Sequence, residues 1–290
     1  MIKESCAVAL GFFDGVHIAH QKIIKSAVSY AQKNSLSPVA LSFDISPLEI
    51  LAPEKVRYLT TQKQKAALIE ELGARAEFLP LSRKLLSMEP EDFISDILIK
   101  EYHIKYVVCG YNYRFGKNGR GDTSMLQEFG RRYDFTVEIC ECEMLHGESV
   151  SSSRIRELIS KGDIHGANEL LGRSFFITGT VCEGKKLGRT LGFPTANVMP
   201  YDLTAIPRNG VYKTLVTIDK KSFTAITNTG VNPTVGGERL RCETYIPSFN
   251  ADLYGQEMKI EFLDFIRPEK KFESIEKLKE QIKKDLEKLQ

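Results

Sequence analysis

The chain has 290 residues, enough for two domains that each bury a core of their own. Its hydrophobic share of 42% and charged share of 27% suit a globular chain in water, and no apolar run approaches the roughly 18 residues that a membrane span requires. Residues 1–171 carry 21 Lys and Arg against 23 Asp and Glu, and the rest 19 against 15, so neither half is basic enough for a nucleic-acid platform. Six cysteines (6, 109, 140, 142, 182 and 242) form no Cys-x-x-Cys pair and no zinc spacing with histidine. They read as buried free thiols of a cytoplasmic protein. The start, Met-Ile-Lys-Glu-Ser-Cys, lacks a signal-peptide plan and agrees with that location.

Residues 1–171 alternate strand and helix signals. Cys6–Phe12 is a short apolar run, and Gln21–Lys33 carries Ile23, Ile24, Ala27 and Ala31 at helical spacing. Val39–Phe43 is a second apolar run, ended by Ser46-Pro47. Helical patterns at Gln62–Leu72 and Pro90–Tyr102 each precede an apolar run, at Ala76–Leu79 and Lys105–Gly110. Asp122 is placed to cap a helix through Arg132, and Phe135–Cys142 reads as a strand. The repetition predicts an α/β domain with a doubly wound parallel sheet, a nucleotide-binding fold.

From Phe175 onward the pattern changes to short runs rich in Val, Thr, Ile, Phe and Tyr, separated by Gly, Asn, Asp and Pro. Phe175–Cys182, Tyr212–Ile218, Phe223–Asn228, Cys242–Ile246 and Glu257–Phe265 predict an antiparallel β-barrel or sandwich. A closing C-terminal helix carries Phe272, Ile275, Leu278, Ile282 and Leu286 on one stripe, with its Lys/Glu run as a solvated face. The boundary falls near Leu171–Ser174, between domains 1–171 and 172–290.

Two stretches carry chemistry. Gly11-Phe-Phe-Asp-Gly-Val-His-Ile-Ala-His20 sits where the first strand gives way to the first helix, the crevice where such sheets bind ligands and a helix start attracts anions. His17 and His20, three apart, project to one side and can donate N–H groups to phosphate; the same pair can serve as a cap and a packed ring. Further on, Gly184, Lys185, Gly188 and Arg189 lead into Thr195 and Asn197. Backbone N–H groups beside Lys and Arg favour phosphate, and a hydroxyl with an amide carbonyl suits Mg²⁺. A β-turn followed by an ordinary strand accounts for the same residues.

These stretches resemble known signatures. Gly188–Val198, with its Pro-Thr-Ala-Asn, closely resembles the motif by which riboflavin kinases hold the metal of MgATP. Arg241–Gly255 resembles that family's catalytic-glutamate strand, and Arg267–Phe272 the segment opening its last helix. The Gly11–His20 run resembles the His-x-Gly-His signature of nucleotidylyltransferases in the form found in bacterial FAD synthetases. Cys109–Asp122 is similar to that family's flavin- and nucleotide-contacting loop, and Val150–Arg156 to its Ser-Ser-Thr-x-x-Arg segment. The matches run in order over nearly the whole chain, which is identified as a member of the bifunctional riboflavin kinase/FMN adenylyltransferase family.

The resemblance implies a nucleotidylyltransferase domain in 1–171 and a riboflavin kinase barrel in 172–290. It implies ATP as co-substrate, riboflavin and FMN as substrates, FAD as product, and Mg²⁺ or another divalent ion. Glu243 would be the kinase base, Thr195 and Asn197 the metal ligands, and Gly184, Lys185, Gly188 and Arg189 the loop over the phosphates. His17 and His20 would be catalytic in adenylyl transfer, with Ser152, Ser153 and Arg156 gripping ATP phosphates. Asn112 and Arg267 would contact flavin. Nucleic acid and membrane are not expected partners. Several positions depart from the pattern: Ala19 replaces the glycine of His-x-Gly-His, Ser46 a usual His, Ser153 a Thr, Tyr245 a His, and Pro247-Ser248 an apolar-Asp pair. Two narrower readings follow, one with the kinase retained and adenylyl transfer weak or lost, the other a flavin-binding regulator without turnover. A regulator has no need of a base at Glu243.

Overall fold

A five-stranded parallel sheet organises the first part of the chain. β1 (Cys6–Leu10) lies at its centre, β2 (Ser37–Phe43) and β3 (Arg75–Leu79) on one side, β4 (Ile104–Gly110) and β5 (Thr136–Cys140) on the other. The structure, a computed structural model, describes residues 4–51, 56–183, 192–201, 203–234, 237–247, 249 and 251–289; of 232–234 and 237–239 it describes the backbone alone. The chain divides into two compact units, Met1–Ser152 and Ser153–Gln290.

Strand alternation splits β1 between two cores. Cys6, Val8 and Leu10 join Ile94, Leu98 and Leu126 on one face, while Ala7 and Ala9 join Ile24, Ala27 and Ile69 on the other. The small alanines leave room for helix α1 (Ile18–Asn34) to pack close. Helices α2 (Gln62–Glu71), α3 (Phe93–Glu101) and α4 (Thr123–Tyr133) complete the cover. The segment α3, expected as an ordinary helix, is wound wider: the Tyr102 N–H donates to the Ile97 carbonyl five residues back, at 3.3 Å. Asp122 caps α4 as its position predicts, accepting from the Met125 N–H at 2.9 Å. A short hairpin, β6 (Met144–Leu145) and β7 (Glu148–Ser149), follows the sheet. Strand order reverses between β1 and β4, so the ligand crevice of this unit lies beyond their carboxyl ends.

The second unit begins one residue into α5 (Ser152–Lys161), which with α6 (Ile164–Leu171) is a helix that periodicity does not single out. Asn168 ties α6 to the strands after it, donating to the Phe262 carbonyl at 3.0 Å and accepting from the Phe175 N–H at 2.6 Å. The compact units therefore divide about twenty residues before the Leu171 boundary read from composition. Six antiparallel strands then close a barrel, which decides between barrel and sandwich: β8 (Phe175–Cys182), β9 (Thr195–Pro200), β10 (Gly210–Ile218), β11 (Lys221–Thr234), β12 (Gly237–Tyr245) and β13 (Glu257–Pro268). Closure comes from β10 pairing with both β11 and β13. Tyr212, Ile260 and Phe262 fill the interior, where Thr214, Thr227 and Thr244 satisfy one another in a hydroxyl row at 2.9 and 3.0 Å.

Helix α7 (Ile275–Glu287) closes the chain, capped by Ser274. Its expected apolar stripe is only partly used, since Ile275 is 54% exposed. The most buried residue of α7 is Asp285, a member of the charge run read as solvated.

Candidate active sites

Antiparallel register sets Asn228 of β11 and Asn197 of β9 directly opposite Glu243 of β12, one on each side. All three lie on the barrel face opposite the buried Cys242 and Thr244. The Oδ1 atoms of Asn197 and Asn228 are buried and have no hydrogen-bond partner among the described residues. Leaving such an acceptor unpaired costs about 1–3 kcal/mol, so the row is built for something that brings protons or positive charge. Glu243 itself pairs with the guanidinium of Arg241, two residues back on the same face.

A cavity of about 310 Å³ opens over this face. Phe193, Tyr245, Phe272, Leu278 and Ile282 give it apolar walls; Thr195, Asn228 and Glu243 give it polar ones. Phe193 meets Tyr245 edge to face at 5.4 Å. Arg267 also lines the cavity, with one edge committed elsewhere: Nε and Nη2 donate to the Asp285 carboxylate at 2.9 and 2.8 Å. Gln281 adds a bond to the same carboxylate at 2.9 Å. This clamp, with Asp285 only 3% exposed, fixes α7 as the cavity wall. Removing one partner of a buried pair strands the other, so Asp285→Ala is expected to destabilise the second unit by about 3–5 kcal/mol. Denaturant unfolding checks this; a change below about 1 kcal/mol, the scale of a surface pair, would contradict the clamp.

A second cavity, of about 520 Å³, lies beside Pro194, Thr195, Ala196, Phe249, Asp252 and Tyr254. Thr195 borders both. The phosphate-loop residues Gly184, Lys185, Gly188 and Arg189 lie outside the described residues. Among the described residues no cluster of three His, Cys, Asp or Glu could hold a metal. The donor set available here is instead neutral oxygen, the Thr195 hydroxyl with the orphaned Asn197 carbonyl, and it fits a hard cation whose other ligands are phosphate and water.

In the first unit, the turn from β1 into α1 places Phe13, Gly15 and Val16 at φ of 55°, 79° and 43°. For Phe and the β-branched Val that is strained backbone. His17 is the N-cap of α1, its Nδ1 accepting from the His20 N–H at 3.4 Å, and the two rings stack at 3.5 Å. His20 Nδ1 is buried and has no hydrogen-bond partner among the described residues. Burial, reinforced by His17 and Lys65, holds His20 well below the ordinary histidine range, so its ring is neutral at pH 7. Ser152 joins this turn, donating to the Asp14 carbonyl at 2.9 Å. Ser153 and Arg156 belong to the second unit, where the Arg156 guanidinium donates to Ser153 Oγ at 3.4 Å. Asn112 is exposed in the turn after β4, the strand beside β1 across the crevice. Ser46 is buried and spent locally: its N–H donates to the Tyr58 hydroxyl at 2.8 Å, and its Oγ accepts from the Leu48 N–H at 3.3 Å.

The family model described as riboflavin kinase matches residues 171–290, and the one described as FAD synthetase matches residues 1–154. A bifunctional riboflavin kinase/FMN adenylyltransferase of Listeria monocytogenes is 35% identical over 284 residues, covering 96% of this chain and 89% of the relative. The chain belongs to that family. It is an enzyme of flavin cofactor biosynthesis, with riboflavin kinase and FMN adenylyltransferase activities that use ATP. The Escherichia coli K12 member is 33% identical, covering 98% of this chain and 91% of its own, and the Bacillus subtilis member 34%, covering 98% and 92%. A solved structure described as a macrolide-efflux protein from Streptococcus pneumoniae shares the fold with a TM-score of 0.90 at 32% identity, covering 98% of this chain and 93% of that one. Among the described residues no helix is long and apolar enough to cross a membrane.

Asn228, Arg241 and Asp285 are site residues that sequence reading passed over. Arg241 opens the stretch that resembles the catalytic-glutamate strand, where its pairing with Glu243 is not legible. Asn228 and Asp285 carried no local signal, because only cross-strand register and the fold of α7 bring them to Glu243 and Arg267.

Proposed function

We propose that riboflavin is phosphorylated within residues 172–290, with Glu243 as general base on the terminal ribityl hydroxyl. That oxygen attacks the γ-phosphorus of ATP, ADP leaves, and the proton passes to Glu243. The observation that carries this reading is the Asn228–Glu243–Asn197 row, a carboxylate between two buried amide oxygens that have no partner among the described residues. The apolar cavity against α7 suits the flavin ring, and the cavity beside Pro194 suits the nucleotide, so Thr195 stands where the two substrates meet. Thr195 and Asn197 would hold Mg²⁺, which neutralises phosphate charge when bound. Arg267 serves the flavin as a wall braced by Asp285.

Adenylyl transfer is assigned to residues 1–171. A phosphate oxygen of FMN attacks the α-phosphorus of ATP and pyrophosphate leaves. His17, His20, Ser152, Ser153 and Arg156 stabilise the charge that develops, and Asn112 contacts the flavin. Free cysteines and near-neutral charge support a cytoplasmic enzyme without nucleic-acid or membrane partners. A kinase-only reading rests on Ala19 and Ser46. Ala19 is the second residue of α1, and Ser46 Oγ accepts from the Leu48 N–H.

Asn197→Ala is expected to raise the Mg²⁺ concentration needed for half-maximal FMN formation about tenfold, while FAD formation from supplied FMN keeps its Mg²⁺ dependence. A magnesium titration of both reactions checks it. An unchanged kinase titration would remove Asn197 from the metal site.

A further inference from the structure

Lys65 is 2% exposed; it lies one turn before the buried Ile69 on the core-facing side of α2, where a charged residue is uncommon. Its ammonium donates to the Phe12 carbonyl at 2.8 Å and sits 3.9 Å above the Phe12 ring. Among the described residues it forms no ion pair. The carboxylates that face it, Asp14 and Asp44, are committed to backbone N–H groups: Asp14 to Leu59 and Thr60, Asp44 to Ile45 and Leu81. His20 faces it from α1. A buried cation without an ion-pair partner is costly, and the fold retains one beside the strained turn that leads into His17. The Phe12 carbonyl, just ahead of the positive-φ residues, takes a second bond from Ser42 Oγ at 2.8 Å. Thr60 Oγ1 accepts from the Gly15 N–H at 3.1 Å. The turn is thus held from outside, with Lys65 as a charged donor on the Phe12 carbonyl.

We infer that Lys65 is a positioning residue for adenylyl transfer: its buried ammonium clamps the Phe12–Val16 turn through the Phe12 carbonyl. The inference rests on His17 and His20 being the adenylyl-transfer site. Lys65 contacts no reacting atom; it acts through the turn. Burial pulls its pKa down to about 8 against the opposing pull of Asp14 and Asp44, so the clamp loses its charge at mildly alkaline pH.

The test is FAD formation from FMN and MgATP as a function of pH, in the full chain and in Lys65→Arg, Lys65→Met and His20→Ala. The unaltered chain should lose activity as pH rises through about 8. Lys65→Arg should move that limb upward, because guanidinium stays charged. Lys65→Met should lose about 10²-fold in FAD formation with FMN formation unchanged. Its unfolding midpoint at neutral pH should be no lower than that of the unaltered chain, since the cost of burying a charge is gone. An alkaline limb that is absent, or that stays in place in Lys65→Arg, overturns the inference even if Lys65→Met fails to fold. So does a Lys65→Met enzyme with full FAD formation. His20→Ala separates the two layers: if it keeps FAD formation, the site reading falls and this inference with it. If only His20→Ala loses activity, Lys65 alone is wrongly assigned.

Discussion

Glu243→Gln is expected to lower FMN formation about 10²-fold or more while riboflavin still binds. The substitution keeps shape and removes the charge that accepts the ribityl proton. It also takes the anionic partner from Arg241, so part of the loss reflects a misplaced side chain. Asn228 and Asn197 flank the position unchanged, and the apolar walls from Phe193 to Ile282 are untouched, which is why binding survives. FAD formation from supplied FMN should be unaltered. Single-turnover phosphorylation together with riboflavin fluorescence titration separates the two effects. Full turnover in Glu243→Gln would move the base elsewhere and leave Glu243 as the partner of Arg241.

His20→Ala should lower FAD formation about 10²–10³-fold and leave FMN formation intact. Its ring is neutral, stacked on His17 and pressed by Phe13 at 5.3 Å, so it can act only as a fixed hydrogen-bonding group at the crevice. Losing it removes a group aimed at developing charge, typically a loss of about 10²–10³-fold. Ala19→Gly should act in the opposite direction. If the adenine packs on the start of α1, as the proposed site implies, a methyl there would displace it, and a shift of about 1 Å can cost roughly 10²-fold. Pyrophosphate release from FMN and MgATP measures both variants; no gain in Ala19→Gly and no loss in His20→Ala would place adenylyl transfer elsewhere. The depressed pKa of His20 has a stability consequence as well. As pH falls below the unfolded value of 6.5, the unfolded chain takes up a proton that the folded ring refuses, so stability drops there and His20→Ala should lessen the drop.

Local pattern carried much of the architecture. The run Phe175–Cys182 is β8 to the residue, and the Ile23–Ala31 spacing is the buried face of α1. Barrel and sandwich could not be separated, because closure depends on β10 meeting β13 some fifty residues later, a pairing that leaves no trace in alternation. The wider winding of α3 was equally hidden, since both windings present an apolar face. At the sites, His17, His20, Thr195, Asn197 and Glu243 stood in recognisable strings. Asn228 did not, for a lone amide in a strand gains meaning only from the register that sets it opposite Glu243. Asp285 and Lys65 are hidden for another reason: each is a charge one turn from a stripe residue, Ile282 or Ile69, and only the fold supplies the guanidinium and the carbonyl that meet them.

The most direct test is a time course of the unaltered chain with riboflavin and MgATP, resolving riboflavin, FMN and FAD. Two activities on one chain predict that FMN appears first without a lag, and that FAD follows only as FMN accumulates, with pyrophosphate released in step with FAD. Riboflavin that is bound but unchanged, or FMN that accumulates to completion with no FAD and no pyrophosphate, would contradict the account.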